Sequence, residues 1–185
     1  MATPILVELS ASAVQAALAL ADASFRRNAN RRGGREHYAN TLKSHKVGKI
    51  GEVACSLALT RHGIAVIENF RDPSREGDAD VVAGGWRLEV KTWSDYAWER
   101  GGRCVTPGQL PEVRAKADCV VWCTTEGQLD AGRILVRGWS TMDDIARTEP
   151  RITTVGQYSI LNHQVDDGDV RDLAALVAAI RNGAP

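Results

Sequence analysis

The sequence contains no run of about 18 apolar residues, so no segment is predicted to cross a membrane as a helix. Its first residues also lack the basic start and apolar centre of a secretory signal. Cysteine and histidine are scarce, at four residues each, and their spacing indicates neither a disulfide framework nor a zinc site. We therefore expect a cytoplasmic protein whose cysteines are free and buried in its core.

Lysine is also scarce, with five lysines against 18 arginines, and the net charge is zero. The charges are nevertheless segregated, because residues 26–49 contain eight basic residues and one acid, whereas residues 143–172 contain seven acids. A positive face on a neutral molecule is typical of a protein that docks on phosphates, although a solvated loop would have the same composition. The residues of this segment that we expect to contact phosphates are Arg31, Arg32, Arg35, Lys43, His45, Lys46 and Lys49.

Two short predicted strands joined by a glycine pair stand at the centre of the chain. Residues 80–83 and 86–93 have strand character, and Gly84-Gly85 suits a two-residue hairpin turn because glycine adopts positive φ freely. Alternation along the second strand separates an apolar face from a largely charged one. The apolar face, which we expect to be buried, consists of Trp86, Leu88, Val90 and Thr92, and the other face consists of Arg87, Glu89, Lys91 and Trp93.

The charged face brings two acids and a lysine to the open end of this hairpin. Glu89 and Lys91 lie side by side, and the neighbouring strand begins with Asp80. Burying such charges is costly unless they are paired or bind a metal. A divalent cation would account for all three, because Mg²⁺ takes carboxylate oxygens, usually from one or two side chains. Asp78 has the same strand parity as Asp80 and is the alternative ligand.

The pattern of Asp80 followed, after a hairpin, by Glu89-Val90-Lys91 resembles the signature of the PD-(D/E)XK nuclease superfamily. This superfamily has the restriction-endonuclease-like fold and includes Holliday junction resolvases and Mrr-like enzymes; the resemblance covers residues 46–125. It implies that Asp80, Glu89 and the backbone carbonyl of Val90 bind Mg²⁺, for which Mn²⁺ can substitute, and that Lys91 positions or deprotonates the nucleophile. Lysine suits that role better than arginine, because an ammonium whose pKa is depressed can release a proton.

A further acid precedes the hairpin on a predicted helix over residues 46–59. Glu52 is the only acid in this largely apolar segment, and a buried carboxylate needs a partner. The sequence Gly48-Lys49-Ile50-Gly51-Glu52 is similar to the superfamily segment whose glutamate joins the active site, where Glu52 would hold a second ion or a water. A salt bridge from Glu52 to a nearby arginine is the alternative.

Gln109 has two interpretations. The segment Thr106-Pro107-Gly108-Gln109 has the pattern of a helix-capping box. Superfamily members also place a glutamine or a lysine on this helix, where it holds the attacking water or a phosphate oxygen. The preceding residues, 94–108, are predicted as a flexible loop with side chains that enter a DNA groove or stack on an unpaired base, namely Tyr96, Trp98, Arg100 and Arg103.

The order of predicted elements favours one α/β domain, a three-layer sandwich with a mixed central sheet flanked by helices, as the resemblance also implies. We predict a core over residues 46–125, a basic helical segment over residues 9–45 and a C-terminal extension over residues 126–185. Further helices are predicted over residues 9–27 and 170–180, the latter as a packing or dimer surface. Further strands are predicted over residues 64–70, 118–125 and 133–139, with an edge strand over residues 158–161.

The resemblance implies a Mg²⁺-dependent endonuclease that hydrolyses DNA phosphodiester bonds to a 5′-phosphate and a 3′-hydroxyl in a restriction, phage or defence context. A homodimer is expected because two DNA strands require two sites. A structure-specific junction resolvase and a non-catalytic DNA-binding or assembly module are the alternatives. A hydrolase of small phosphates is disfavoured, because the sequence has no Gly-rich phosphate loop.

Overall fold

A six-stranded mixed sheet organises the chain in the computed structural model, which describes residues 2–31, 41–155 and 158–183. The strands, in chain order, are β1 (Ile5–Glu8), β2 (Val66–Glu68), β3 (Val81–Ala83), β4 (Trp86–Ser94), β5 (Cys104–Val105), β6 (Cys119–Thr125), β7 (Arg133–Thr141), β8 (Pro150–Val155) and β9 (Tyr158–Gln164). The large sheet has the order β1-β7-β6-β4-β3-β2, and a small sheet has the order β5-β9-β8. In the large sheet β4 and β6 pair in parallel, and the other neighbours pair antiparallel.

Helices pack on both faces of the large sheet. The helices are α1 (Ala11–Arg31), α2 (Leu42–Arg61), α3 (Asp95–Gly101), α4 (Leu110–Lys116), α5 (Met142–Arg147) and α6 (Leu173–Asn182). One buried cluster joins α1, α2 and α6 to the sheet, and a second joins α3, α4, α5 and the small sheet. Along β6, Val121 belongs to the first cluster while Val120 and Trp122 belong to the second, because successive strand side chains point to opposite faces. The predicted α/β class with a mixed, helix-flanked sheet is confirmed.

The predicted hairpin is confirmed in its turn and in three of the four residues of its buried face, whereas Thr92 is half-buried. Ala83 pairs with Trp86 across a two-residue turn, and Gly84 and Gly85 have φ values of 57° and 90°. Positive φ at both turn residues matches the right-handed twist of the flanking strands. Trp86, Leu88 and Val90 are buried in the cluster that contains α2.

Several predicted boundaries differ in the N-terminal half of the chain. Helix α1 runs to Arg31, beyond the predicted end at residue 27, and residues 32–40 lie outside the described part. Helix α2 begins at Leu42 rather than near residue 46, because Thr41 and Ser44 form a capping box. The predicted strand over residues 64–70 is limited to β2, and a 3₁₀ turn follows at Asn69–Arg71.

Larger corrections concern the segments outside the predicted core. The predicted loop over residues 94–108 contains α3, capped by the Ser94 hydroxyl, and the short strand β5. Strand β9 is the central strand of the small sheet rather than an edge, and β1 and β8 were not predicted. The predicted C-terminal extension contributes β7 to the large sheet and α6 to the cluster around α2. No helix in the described part of the chain is long and apolar enough to cross a membrane.

Candidate functional site

Three acids and three lysines beside the β3–β4 hairpin interact through their charges, and we call them the acid–lysine cluster. Helix α2 supplies two of them, β4 supplies two, the residue before β3 supplies one and the last turn of α4 supplies one. The members are Lys49, Glu52, Asp80, Glu89, Lys91 and Lys116. The charge of Glu89 raises the pKa of Glu52, and the charges of Glu89 and Glu52 both raise the pKa of Asp80.

A close approach between α2 and β4 holds Glu52 beside this hairpin. A Cβ atom built on Gly51 would lie 1.8 Å from the hydroxyl oxygen of Thr92, on β4. Gly51 therefore allows the helix to lie closer to the strand than any other residue would, and Glu52 follows it directly. A side chain at Gly51 would push the helix, and Glu52 with it, away from the strand.

Asp80 faces the backbone of the neighbouring strand. Its Oδ2 accepts a hydrogen bond of 2.8 Å from the amide of Val90. Removal from water, followed by repulsion from Glu89 and Glu52, raises the pKa of Asp80 well above its usual value, although the Val90 amide and the Lys116 ammonium oppose the rise. The alternative ligand, Asp78, is exposed.

Glu89 is held by two ammonium groups. Its Oε1 lies 3.3 Å from Lys91 Nζ, and its Oε2 lies 2.8 Å from Lys116 Nζ. Burial raises the pKa of Glu89, but the charges and hydrogen bonds of the two lysines outweigh burial and lower it overall. Burial lowers the pKa of Lys116 and Glu89 raises it, with a net rise. Glu89 is therefore the one acid of the cluster whose pKa is lowered rather than raised.

Glu52 pairs with a lysine rather than with the arginine considered from the sequence. Lys49 Nζ, one helical turn earlier on α2, donates a 2.6 Å hydrogen bond to Glu52 Oε2. Desolvation raises the pKa of Glu52 more than this ion pair lowers it, and the charge of Glu89 raises it further. Glu52 is 7% exposed, so its carboxylate carries a desolvation cost that the lysine offsets only in part.

The donor set suits a divalent cation in its chemistry, but the side chains do not enclose one. In the described residues no group of three or more His, Cys, Asp or Glu side chains is arranged to hold a metal ion. Mg²⁺ needs only one or two carboxylates when water and phosphate complete its shell. Asp80 and Glu89 are such a pair, because repulsion between them raises the pKa of Asp80, and a bound cation would offset that repulsion.

Gln109 lies on the rim of a cavity that Lys91 also lines. The Thr106 hydroxyl accepts a hydrogen bond from the Gln109 amide, as the predicted capping box requires, but α4 begins later, at Leu110, and the Gln109 side chain makes no capping bond. The delayed start follows from Pro111, which lacks an amide hydrogen and is tolerated only in the first turn. The Gln109 side chain is exposed.

The basic residues predicted to contact DNA occupy different environments. The Arg31 side chain, Arg32 and Arg35 lie outside the described part. Lys43 is exposed on the cavity rim, and Lys46 lies 3.9 Å from Asp22. His45 is half-buried, hydrogen-bonded to Ser24 and packed against the Phe25 ring.

Two of the four residues predicted to contact DNA from the segment after β4 have structural surroundings instead. Trp98 is 3% exposed, so its ring cannot stack on a base. The side chain of Arg103 donates to the Val165 carbonyl and lies over the Trp98 ring. The prediction did not anticipate that this segment folds into α3, which turns Trp98 into the second core cluster. Arg100 is exposed and stacks on Tyr96, with 3.8 Å between its guanidinium carbon and the ring centroid.

Lys116 is the member of the cluster that sequence reasoning did not assign to the site. The superfamily pattern of a glutamine or a lysine on the helix after the strand was the signal that could have identified it, because Lys116 ends that helix. The prediction chose Gln109 at the beginning of α4, whereas Lys116 at its end contacts Glu89.

The chain was compared with family models, with curated proteins and with solved structures, and none of the three comparisons gave a match.

Proposed function

We propose that this chain is a Mg²⁺-dependent endonuclease with the restriction-endonuclease-like fold of the PD-(D/E)XK superfamily. It would hydrolyse DNA phosphodiester bonds to a 5′-phosphate and a 3′-hydroxyl. The observation that carries the proposal is the contact of Lys91 with Glu89 beside Asp80, at the open end of the hairpin. The restriction, phage or defence context rests on the sequence resemblance alone, and the homodimer rests on the need for two sites to cut two strands.

Asp80, Glu89 and the Val90 carbonyl would hold Mg²⁺, and Mn²⁺ would substitute. The ion, when bound, supplies stabilisation of the negative charge that develops on the scissile phosphate. Lys116 keeps Glu89 ionised, since its ammonium is one of the two that lower the pKa of that carboxyl. Glu89 is therefore ready to bind a cation at neutral pH.

Lys91 would orient the attacking water or take its proton. Its Nζ lies 3.3 Å from Glu89 Oε1 and its side chain is about one-fifth exposed, so it can reach both the acid and a substrate in the adjoining cavity. Glu52 would orient a second water or ion from the side of α2. Gln109, on the cavity rim, would contact a phosphate oxygen.

The charge balance of the cluster favours a second candidate, a non-catalytic DNA-binding or assembly module. Its three acids are matched by three lysines, and both oxygens of Glu89 already have an ammonium partner. A buried network that is neutral in itself can be purely structural. A junction resolvase, the remaining alternative, would use the same nuclease chemistry on branched DNA. Preferential cleavage of branched DNA would therefore distinguish it from a restriction-type endonuclease.

The test is cleavage of supercoiled plasmid and of branched and single-stranded DNA in Mg²⁺, with EDTA as the metal-free reference. We expect Glu89→Gln and Lys91→Met to lose activity by about 100-fold or more, because each removes a group that acts on the reacting atoms. Glu99→Gln, which alters an exposed acid on α3, is the matched control and should cut normally.

Calorimetric titration with Mg²⁺ and Mn²⁺ gives a second readout that does not depend on cleavage. The wild-type protein and Glu99→Gln should bind either ion, whereas Glu89→Gln should not. If the wild-type protein binds DNA but cuts none of these substrates and takes up no metal, the nuclease proposal fails and the structural interpretation of the cluster stands.

A further inference from the structure

A cavity lies along the part of β4 that has no second strand neighbour. Strand β3 pairs with β4 only from Trp86 to Leu88, while β6 pairs with it from Leu88 to Ser94. In the described part of the chain, the other edge of β4 beyond the hairpin borders a cavity of about 490 Å³. The first turns of α2, helix α3 and the small sheet form its remaining walls.

The lining of the cavity is basic and polar at the rim and mixed at the base. Lys43 and Gln109 are exposed at the rim, whereas Asn162 is buried at 3% exposure. The Asn162 amide is oriented by the hydrogen bond that it donates to the Thr153 hydroxyl. Among the described lining residues two are lysines and none is an acid. Such a lining suits a ligand that combines an anionic group with a flat and less polar part.

An aromatic wall supports the same conclusion. Trp93 lines the cavity and is half-buried. Aromatic side chains in single-strand binding sites stack on bases irrespective of sequence, so Trp93 suits a nucleobase.

The size and position of the cavity restrict the ligand further. A volume of about 490 Å³ is in the range that holds one small molecule, whereas a base pair within a duplex could not enter. Lys91 belongs both to the lining and to the acid–lysine cluster. A ligand inside the cavity therefore places a phosphate beside the proposed catalytic groups.

We propose that this cavity receives one unpaired nucleotide of a DNA strand, with its phosphate towards Lys91 and its base against Trp93 and Asn162. The inference rests on the proposed function and narrows its substrate to DNA that has a single-stranded or extrahelical nucleotide at the cleavage point.

The test measures binding in EDTA, where no cleavage occurs. Fluorescence anisotropy compares a 12-nucleotide oligothymidylate, a fully paired duplex of the same length and free thymidine monophosphate as competitor. The variant Ala97→Leu adds a side chain to the wall of the cavity on α3, and Glu99→Leu adds the same side chain to an exposed position on that helix.

We expect the wild-type protein and Glu99→Leu to bind the single strand about tenfold more tightly than the duplex, because the stacking of one base on an aromatic side chain can account for a difference of that size. Ala97→Leu should lose that preference and keep its weaker binding to duplex. Lys43→Ala, at the exposed rim, is the second variant if Ala97→Leu does not fold, and it should weaken single-strand binding several-fold.

Equal single-strand affinity in folded Ala97→Leu and wild type would overturn the proposal, as would equal affinity of the wild type for single strand and duplex. Calorimetric binding of thymidine monophosphate without binding of the strand would also overturn it, in favour of a free nucleotide. Failure of the nuclease proposal is a separate result, since it is detected as intact DNA in Mg²⁺ whatever the anisotropy shows.

Discussion

Two glycines on α2 provide the sharpest test of how the site is assembled. Gly48 and Gly51 are one helical turn apart, and replacing either with alanine gains about 0.8–1 kcal/mol of helix propensity. A Cβ on Gly48 would have only Glu52 Oε1 near it, at 3.9 Å, which is an ordinary contact. We therefore expect Gly48→Ala to raise the free energy of unfolding by about that propensity gain.

The same substitution at Gly51 meets the facing strand. Its Cβ would lie 1.8 Å from Thr92 Oγ1, 2.9 Å from Thr92 Cβ and 3.0 Å from Thr92 Cγ2, whereas non-bonded carbon atoms settle at about 3.5–4.0 Å. Either the helix or the strand must move, and overpacking of this kind costs about 1–3 kcal/mol. We expect Gly51→Ala to lower the free energy of unfolding despite its propensity gain, and to weaken metal binding because Glu52 moves with the helix.

Chemical denaturation of both variants measures these changes, and thermal unfolding should show them as about 2–4 °C per kcal/mol for a chain of this size. Thr92→Ala is the rescue partner, because its hydroxyl has no hydrogen-bond partner in the described structure. The double variant Gly51→Ala/Thr92→Ala should recover part of the stability that Gly51→Ala loses, which a double-mutant cycle would show as a favourable coupling between the two substitutions. Equal stabilisation by Gly48→Ala and Gly51→Ala would refute the close approach of α2 and β4.

Three further predictions concern charge and burial. Asp80→Asn should stabilise the metal-free protein at neutral pH, because the raised pKa of Asp80 means that its ionisation destabilises the native state. In denaturation curves this gain in stability should vanish as the pH falls below 3.8. A gain that is constant with pH would contradict the raised pKa of Asp80. Glu89→Gln should lower stability by about 3–5 kcal/mol at pH 7, because Lys91 and Lys116 lose the carboxylate that both contact. The pKa of Glu89 is lowered in the folded protein, so this deficit should shrink as the pH falls through and below 4.5. Trp98→Ala should lower the free energy of unfolding by about 3–5 kcal/mol, because it truncates a core side chain. Tyr96 is 54% exposed, so Tyr96→Ala should change stability by less than about 0.5 kcal/mol. Equal losses in the two variants would contradict the burial of Trp98.

The parts of the site that the sequence determined are those encoded in adjacent residues. Strand alternation placed Glu89 and Lys91 on one face, and the pair Gly84-Gly85 specified the turn that brings β3 beside β4. These features depend on the period of a strand and on the φ preference of glycine, which act over a few residues whatever the rest of the chain does.

The tertiary structure decided the features that depend on surfaces distant in sequence. Lys116 reaches Glu89 only because α4 packs beside β4, and Trp98 became a core residue because the small sheet and α5 cover α3. Strand β1 finds its partner in β7, more than 120 residues away. Such contacts form when distant apolar surfaces are buried together, and no local pattern in a single sequence specifies which surfaces will meet. The cavity beside Lys91 has the same origin, since α2, β4, α3 and the small sheet each supply one wall.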